Sequence, residues 1–571
     1  MTLENFKLPL LYQNKIQKID ENVINDLELK KTKNHESIYN YILNPQTIFG
    51  EKSLDLWSEY FSYDKNYLEQ TKEVIKKLEY KKSTDICFNE INDLYQEIND
   101  NKFFNQEYSY IDFDFFDIKF LNQNEILLLV LSIYNITSPI IALLTPLILL
   151  IIPFFLIKIQ GYPITLNKYI EFLKKSFKGH ALGGLFEDFS SIGLEKKVYI
   201  GVSLFFFVYQ IFQNVKQCIQ YFANLKYIHE SIFKLKNYLD LTIENMKNFT
   251  NISKNFKCYK LFNNNLNNHC NFLESFKNKL NDVTHYRLNF KKIQQLGFIL
   301  KLFYNLKNDE NHLNSLEYSF YFNGYLENLS EIKKNISLNL MNFSHYSKKE
   351  TKFNNLFYAP LKYNHPISNS VNFNKHIVIT GPNASGKTTI LKSCAINILL
   401  NQQVGAGFYQ SASLKLYNYI HSYINIPDTS GRDSLFQAEA RRCKEIIDKI
   451  SENPANKNHF CIFDELYSGT NPYEAISSAF SLLQYLNNYK NLNFILTTHY
   501  SDLCEKLEKY SSIELLKMKV LNNKENNNFD YTYKIEKGIS KIRGGSKVLK
   551  DLKYPTKIIT SVQETIPQVS L

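Results

Sequence analysis

The sequence predicts a C-terminal α/β domain with a largely parallel sheet, preceded by a mostly helical region that contains a hydrophobic hairpin. Three observations predict it. No proline occurs between Pro163 and Pro360, and apolar residues recur in that stretch every three or four positions, the period of a helix. From about residue 346, short apolar runs (His376–Thr380, Phe460–Phe463, Asn493–Thr497) alternate with helical segments, the pattern of a parallel sheet covered by helices. Ile126–Ile157 runs 32 residues without a charge, and Val198–Val215 adds 18 more.

At 571 residues and 67.2 kDa the chain exceeds what one hydrophobic core organises, so several domains are expected. The pattern divides it into 1–120, 121–215, 216–345 and 346–571. Forty-four per cent apolar and 22% charged residues exclude a disordered or fibrous chain. The eight cysteines contain no C-x-x-C pair, which excludes a zinc ribbon and a disulfide scaffold and suits a reducing compartment. The +11 charge rests on lysine, with arginine only at 287, 432, 441, 442 and 543. That balance permits nucleic acid or anionic lipid as a partner. The first 30 residues mix charges and show no cleavable leader.

Residues 1–120 read as charged and helical, without a chemical motif. The run 126–157 is long enough for one tilted membrane helix, or for a short hairpin broken at Pro139 and Pro146. A buried hairpin inside a soluble fold satisfies the same composition. The segment 158–197 carries seven lysines against four acids, which favours the cytoplasmic side, whereas two simple crossings place it across the membrane. Leu225, Ile228, Ile232, Leu235, Leu239, Ile243 and Met246 step along one face of a long amphipathic helix. Asparagine-rich breaks are expected near 262–268 and 306–314.

The chemistry concentrates after residue 376. Gly381-Pro382-Asn383-Ala384-Ser385-Gly386-Lys387-Thr388 fits G-x-x-x-x-G-K-[ST], after an apolar strand and before the helical run Thr389–Leu400. Such a loop wraps phosphates with backbone N–H groups, Lys387 neutralises β- and γ-phosphate oxygens, and the Thr388 hydroxyl is a ligand for Mg²⁺. The fold class is therefore an α/β P-loop NTPase domain, with ATP and Mg²⁺ as expected cofactors and the cytosol or nucleus as its compartment. Seventy-seven residues after Lys387, a buried strand ends in Asp464-Glu465. Asp464 suits Mg²⁺, and Glu465 suits the general base that polarises attacking water. His499 comes 35 residues after Asp464, at the end of the next apolar strand, placed to touch a γ-phosphate. Ser434 precedes the helical steps Phe436, Ala440, Cys443, Ile447 and Ile450, which makes it either an anion site at a helix N-terminus or an ordinary N-cap. Three of the five arginines, at 432, 441 and 442, hint at charge recognition there.

Together these words resemble the ATPase domain of the MutS family, the mismatch-repair branch of the ABC-type ATPases. Gly381–Thr389 is similar to that family's phosphate loop, and Asp464-Glu-Leu-Tyr-Ser-Gly-Thr470 to its D-E-[LI]-x-x-G-T. Ser434-Leu-Phe-Gln-Ala-Glu439 resembles S-T-F-x-x-E with Leu435 in place of threonine, and Thr498-His499-Tyr500 resembles T-H-[YF]. The resemblance covers about 355–560, and the helices at 216–345 agree loosely with the family's lever region. It implies ATP hydrolysis by a head-to-tail homodimer in which Ser434 completes the partner's nucleotide site, acting as a DNA clamp in mismatch repair or a related transaction. No mismatch-reading domain is visible: F-x-E occurs at Phe88–Glu90 and Phe272–Glu274 without suitable context. The competing reading is a membrane-anchored mechanochemical ABC-type ATPase without mismatch recognition.

Overall fold

The computed structural model describes residues 6–33, 35–81, 88–112, 118–176, 193–283, 290–424, 426, 434–453, 456–523, 528–542, 549–550 and 552–565. The chain separates into two compact units. The first gathers Met1–Lys82, Glu244–Cys270 and Leu316–Leu571; the second is Ser83–Ile243 with Asn271–Ser315.

The first unit is built on a six-stranded sheet. Its order in space is Tyr419–Tyr423, His459–Asp464, Leu492–Thr498, His376–Thr380, Ile513–Asn523 and Asn528–Lys537. The first five strands are parallel and the last is antiparallel. The three apolar runs of the sequence are the three inner strands, and all five residues of His376–Thr380 are buried, as a strand covered on both faces requires. Strand register fixes where the polar ends emerge. Asp464 pairs with Thr497, and Thr498 with Thr380, so the loop after Thr380, the two carboxylates and His499 leave the sheet at the same edge.

The N-terminal residues join this unit. Ile16–Lys18 and Tyr60–Ser62 form a small antiparallel pair within a stretch whose composition reads as helical. The short helix Glu21–Asp26 ends on Asp26, whose buried carboxylate accepts from Ser422 Oγ (2.6 Å) and Ile424 N (3.0 Å) beside the outermost parallel strand. Glu28 pairs with Lys392 at 2.7 Å, and Asp20 with Lys449. The Tyr39 hydroxyl donates to Gln403 Oε1 at 2.9 Å.

The second unit is helical. Glu125–Ile159 is one uninterrupted helix containing Pro139, Pro146 and Pro153, so the run is not itself a broken hairpin. Ser138 Oγ donates to Asn135 O (3.0 Å), the carbonyl that Pro139 leaves without its helical donor. Leu166–Ser176 is a short helix, and Leu194–Ser253 is a single helix of 60 residues. The two long helices run antiparallel: Tyr221 OH lies 2.7 Å from Ser132 Oγ, and Cys218 Sγ lies 3.3 Å from Ile136 O. Phe290–Asn308 crosses the start of the first so closely that a Cβ on Gly297 would meet Glu125 O at 2.0 Å.

The apolar face from Leu225 to Met246 is buried throughout, as its spacing predicts. The expected break at 262–268 is absent, because Lys260–Leu280 is one helix. Its asparagines do not stop it: Phe262, Leu266, Cys270, Leu273, Phe276 and Leu280 keep a buried face, and Asn263 Oδ1 accepts from Ser253 Oγ at 2.9 Å. The break at 306–314 falls at Asp309.

Candidate functional site

The sequence Gly381–Gly386 forms the turn between strand His376–Thr380 and helix Lys387–Val404. Two features need glycine. Gly386 has φ +95°, and a Cβ on Gly381 would meet the Met518 side chain at 2.7 Å. Ala384 also takes a left-handed φ of 63°. Ser385 Oγ bonds back to Pro382 O at 2.7 Å and tightens the turn.

The buried Lys387 ammonium donates to Gly381 O (3.0 Å), Pro382 O (3.2 Å) and Asn383 Oδ1 (3.4 Å), and lies 3.6 Å from Glu465. Burial pushes its pKa below the usual lysine range, against the pull of the Glu465 and Asp464 charges. Thr388 Oγ1 donates to Asp464 Oδ2 at 2.7 Å, and the Thr497 hydroxyl donates to the other carboxylate oxygen. These are hard oxygen donors side by side. Among the described residues no cluster of three or more His, Cys, Asp and Glu could hold a metal by itself. A Thr–Asp pair matches a cation that takes one or two protein oxygens and completes its shell from phosphates and water.

Glu465 holds a left-handed φ of 51°, with its N–H bonded to Thr497 O at 2.9 Å. That turn swings its carboxylate to 3.6 Å from His499 Nδ1 and the same distance from Lys387. The His499 contact first, and the Lys387 charge with it, hold the carboxyl below the ordinary glutamate range in spite of half-burial. Lys387, Thr388, Asp464, Glu465 and His499 thus meet at one sheet edge.

A cavity of about 640 Å³ opens beside them. Asn383, Ala384, Gly386, Lys387, Thr388, Thr389, Asp464 and Glu465 form one wall. Phe357, Tyr358, His365, Pro366 and Ile367 form the opposite wall, with Tyr533 between them. That second wall matches no motif; its only signal in the sequence is an aromatic and proline-rich cluster just before the loop strand. The Tyr533 ring covers Gly386, where a Cβ would meet it at 3.0 Å, and its carbonyl accepts from Asn369 Nδ2 at 3.0 Å.

A family model, MutS domain V, matches residues 377–570. The C-terminal third of the chain belongs to the MutS family. The DNA mismatch repair protein MutS of Petrotoga mobilis is 30% identical over 198 residues, 34% of this chain and 23% of that protein. Its counterpart from Bacteroides fragilis is 28% identical over 196 residues, 34% of this chain and 22% of that protein. The counterpart from Streptococcus sanguinis is 29% identical over 184 residues, 32% of this chain and 21% of that protein. The chain therefore spans about a quarter of the length of these curated relatives.

Within this MutS domain, Ser434 is not brought to the cavity wall. It caps helix Leu435–Glu452 in a reciprocal box: Gln437 N donates to Ser434 Oγ (3.3 Å) and Ser434 N to Gln437 Oε1 (3.0 Å). The ordinary N-cap reading is met in full. Glu439 matters more than its motif suggests. Buried, it accepts from Ser468 N (3.0 Å), Ser468 Oγ (2.9 Å) and Gly469 N (3.1 Å), fixing the turn after the carboxylates. Leu435 lies so close to Gly469 that a Cβ there would stand 2.6 Å from it. Of the three clustered arginines, Arg432 lies outside the described residues. Arg442 turns inward to Asp26 (3.4 Å) and Ser422 O (3.3 Å).

Proposed function

We propose that this chain is a P-loop ATPase that hydrolyses ATP to ADP and phosphate with Mg²⁺. The observation that carries this is the convergence of Lys387, Thr388, Asp464, Glu465 and His499 at one sheet edge, beside a cavity with room for a nucleotide. The turn 381–386 and the helix N-terminus behind it cradle the phosphates. Lys387 moves from the loop carbonyls to phosphate oxygens, and the wall Phe357–Ile367 takes the base. Thr388 and Asp464 hold Mg²⁺, which when bound draws charge from the β- and γ-oxygens. Glu465, kept ionised by His499 and Lys387, accepts a proton from the attacking water. The new P–O bond forms as the β–γ bridging bond breaks, and His499 steadies the departing phosphate.

The relatives' name and the Ser434 motif extend the reading to a head-to-tail dimer acting on DNA. Ser434, exposed at a helix N-terminus and away from its own cavity, suits the partner's phosphates. Lys387→Ala and Ser434→Arg chains are expected to be inactive separately and partly active when mixed, since one composite site is restored. Activity linear in enzyme concentration, without rescue in the mixture, removes the composite site. DNA binding is expected to weaken at least tenfold between roughly 50 and 200 mM salt and to differ little between matched and mismatched duplexes. Absence of binding at the low end, with turnover intact, removes DNA from the reading.

A further inference from the structure

The second unit carries a surface that the ATPase reading does not use. We propose that residues 139–157 and 198–215 form a two-helix hairpin that spans a lipid bilayer, with the short helix Leu166–Ser176 at the far headgroup layer. Both long helices are long and apolar enough to cross a membrane.

The antiparallel register separates what protein covers from what it leaves bare. Ser132 and Tyr221 face each other, as do Ile136 and Cys218. Below that level the helices are packed: Leu128, Ser132, Tyr221 and Leu225 are buried, and Phe290–Asn308 lies against the start of the first helix. Above it, continuing the register at equal rise sets residues 139–157 beside about 197–215. Nineteen and 18 residues at about 1.5 Å each give roughly 27–28 Å, close to the hydrocarbon thickness of about 30 Å. The 32-residue run is thus half protein core and half bare span, and the two bare halves are coextensive.

The exposure surrounds the helix. Leu204, Phe205, Phe206 and Phe207 are 51%, 65%, 61% and 37% exposed. Four consecutive residues at about 100° each face around most of the circumference, where a protein partner would cover one stripe. A bilayer is the occupant that wets every face. Polar groups agree. Thr145 is the one polar residue of 139–157, and its hydroxyl bonds within its own helix to Ile141 O at 2.6 Å. Gln210, Gln213 and Asn214 gather in the last turns before Lys216, at the near headgroup level. Lys158 and Lys197 mark the far end, with the exposed rings of Tyr162 and Tyr199. Leu166–Ser176 folds back there, the Tyr169 ring 5.1 Å from that of Phe154.

The test uses the full-length chain and vesicles of neutral phosphatidylcholine. Flotation that survives a carbonate wash is expected, and so is protection of Lys168 and Lys175 from external trypsin until detergent is added. Ile148→Arg with Phe206→Arg, each at mid-span, should lower vesicle partitioning by about 100-fold or more. ATP turnover followed in the same samples reports the nucleotide site separately, since none of these residues lies in it. Three results overturn the proposal. They are quantitative release by carbonate, cleavage at those lysines in sealed vesicles, and a monodisperse detergent-free particle in which a second copy covers the helices.

Discussion

Helix Lys387–Val404 and the stretch 139–157 are both dominated by aliphatic side chains, yet their surroundings are opposite. Every residue from Ser393 to Val404 is buried in the first unit. Most of 139–157 is exposed in the second. What distinguishes them is where their polar groups find partners. Asn397 Oδ1 accepts from Phe408 N at 2.6 Å, Gln402 Nε2 donates to Tyr417 O at 2.8 Å, and Gln403 reaches Trp57 O and Tyr39. The core helix thus spends its amides on other elements and is locked to them. The bare stretch offers only Thr145, satisfied by its own backbone. Helices of similar hydropathy are assigned to protein or to lipid by this difference.

The largest expected effect tests whether chemistry resides only in the locked region. Glu465→Gln should retain ATP binding and lose about 100-fold or more in turnover, read in a single-turnover assay. Lys387→Ala should abolish nucleotide binding by calorimetry. Equal turnover in wild type and Glu465→Gln removes the role given to Glu465.

Acid should separate the regions next. Burial lowers His269, His376 and His459 to about 4, and His421 to about 3, all in the first unit. Each stays neutral when folded and takes up a proton near 6.5 when unfolded. Their contribution is therefore complete above about pH 6.5 and is lost as pH falls toward 4, by up to about 1.4 kcal/mol per histidine per pH unit. Hydrogen exchange in vesicles at pH 7 and 5 should show the first unit opening while 139–157, which carries no titratable group, stays protected. Uniform loss of protection breaks the comparison.

The smallest effects sharpen it. Asn397→Leu leaves Phe408 N–H without its partner and should cost about 1–3 kcal/mol. Thr145→Val leaves nothing unpaired and should change stability by less than about 0.5 kcal/mol. Denaturant titration of both variants reads the contrast directly.

The three inner strands, the phosphate-loop turn, the carboxylate pair and His499 are legible in the sequence because each is a contiguous word, a buried run ending in polar residues at a strand's C-terminal end. The cavity's second wall is not, because Phe357–Ile367 gains meaning only when it folds over a loop 20 residues later. Glu439 can be read as part of a motif but not as the acceptor for Ser468 and Gly469, a pairing set by tertiary contact. Asp26 leaves no trace, since its partner Ser422 lies 396 residues away. The asparagines at 262–268 mislead because composition there outweighs the 3–4 spacing of Phe262, Leu266 and Cys270.

The scattered make-up of the first unit has a consequence for biosynthesis. Tyr39 meets Gln403 only after 364 further residues have been made, and Asp26 waits still longer for Ser422. At about 5–20 residues per second that is a delay of roughly 20–70 seconds, in which the first 82 residues have no fold to join. Residues 126–215 emerge from the ribosome within that interval. A nascent chain whose hairpin is captured by lipid is tethered before its nucleotide unit can close, so assembly of the ATPase would be completed at the membrane, late, and with its first-made segment held open until then.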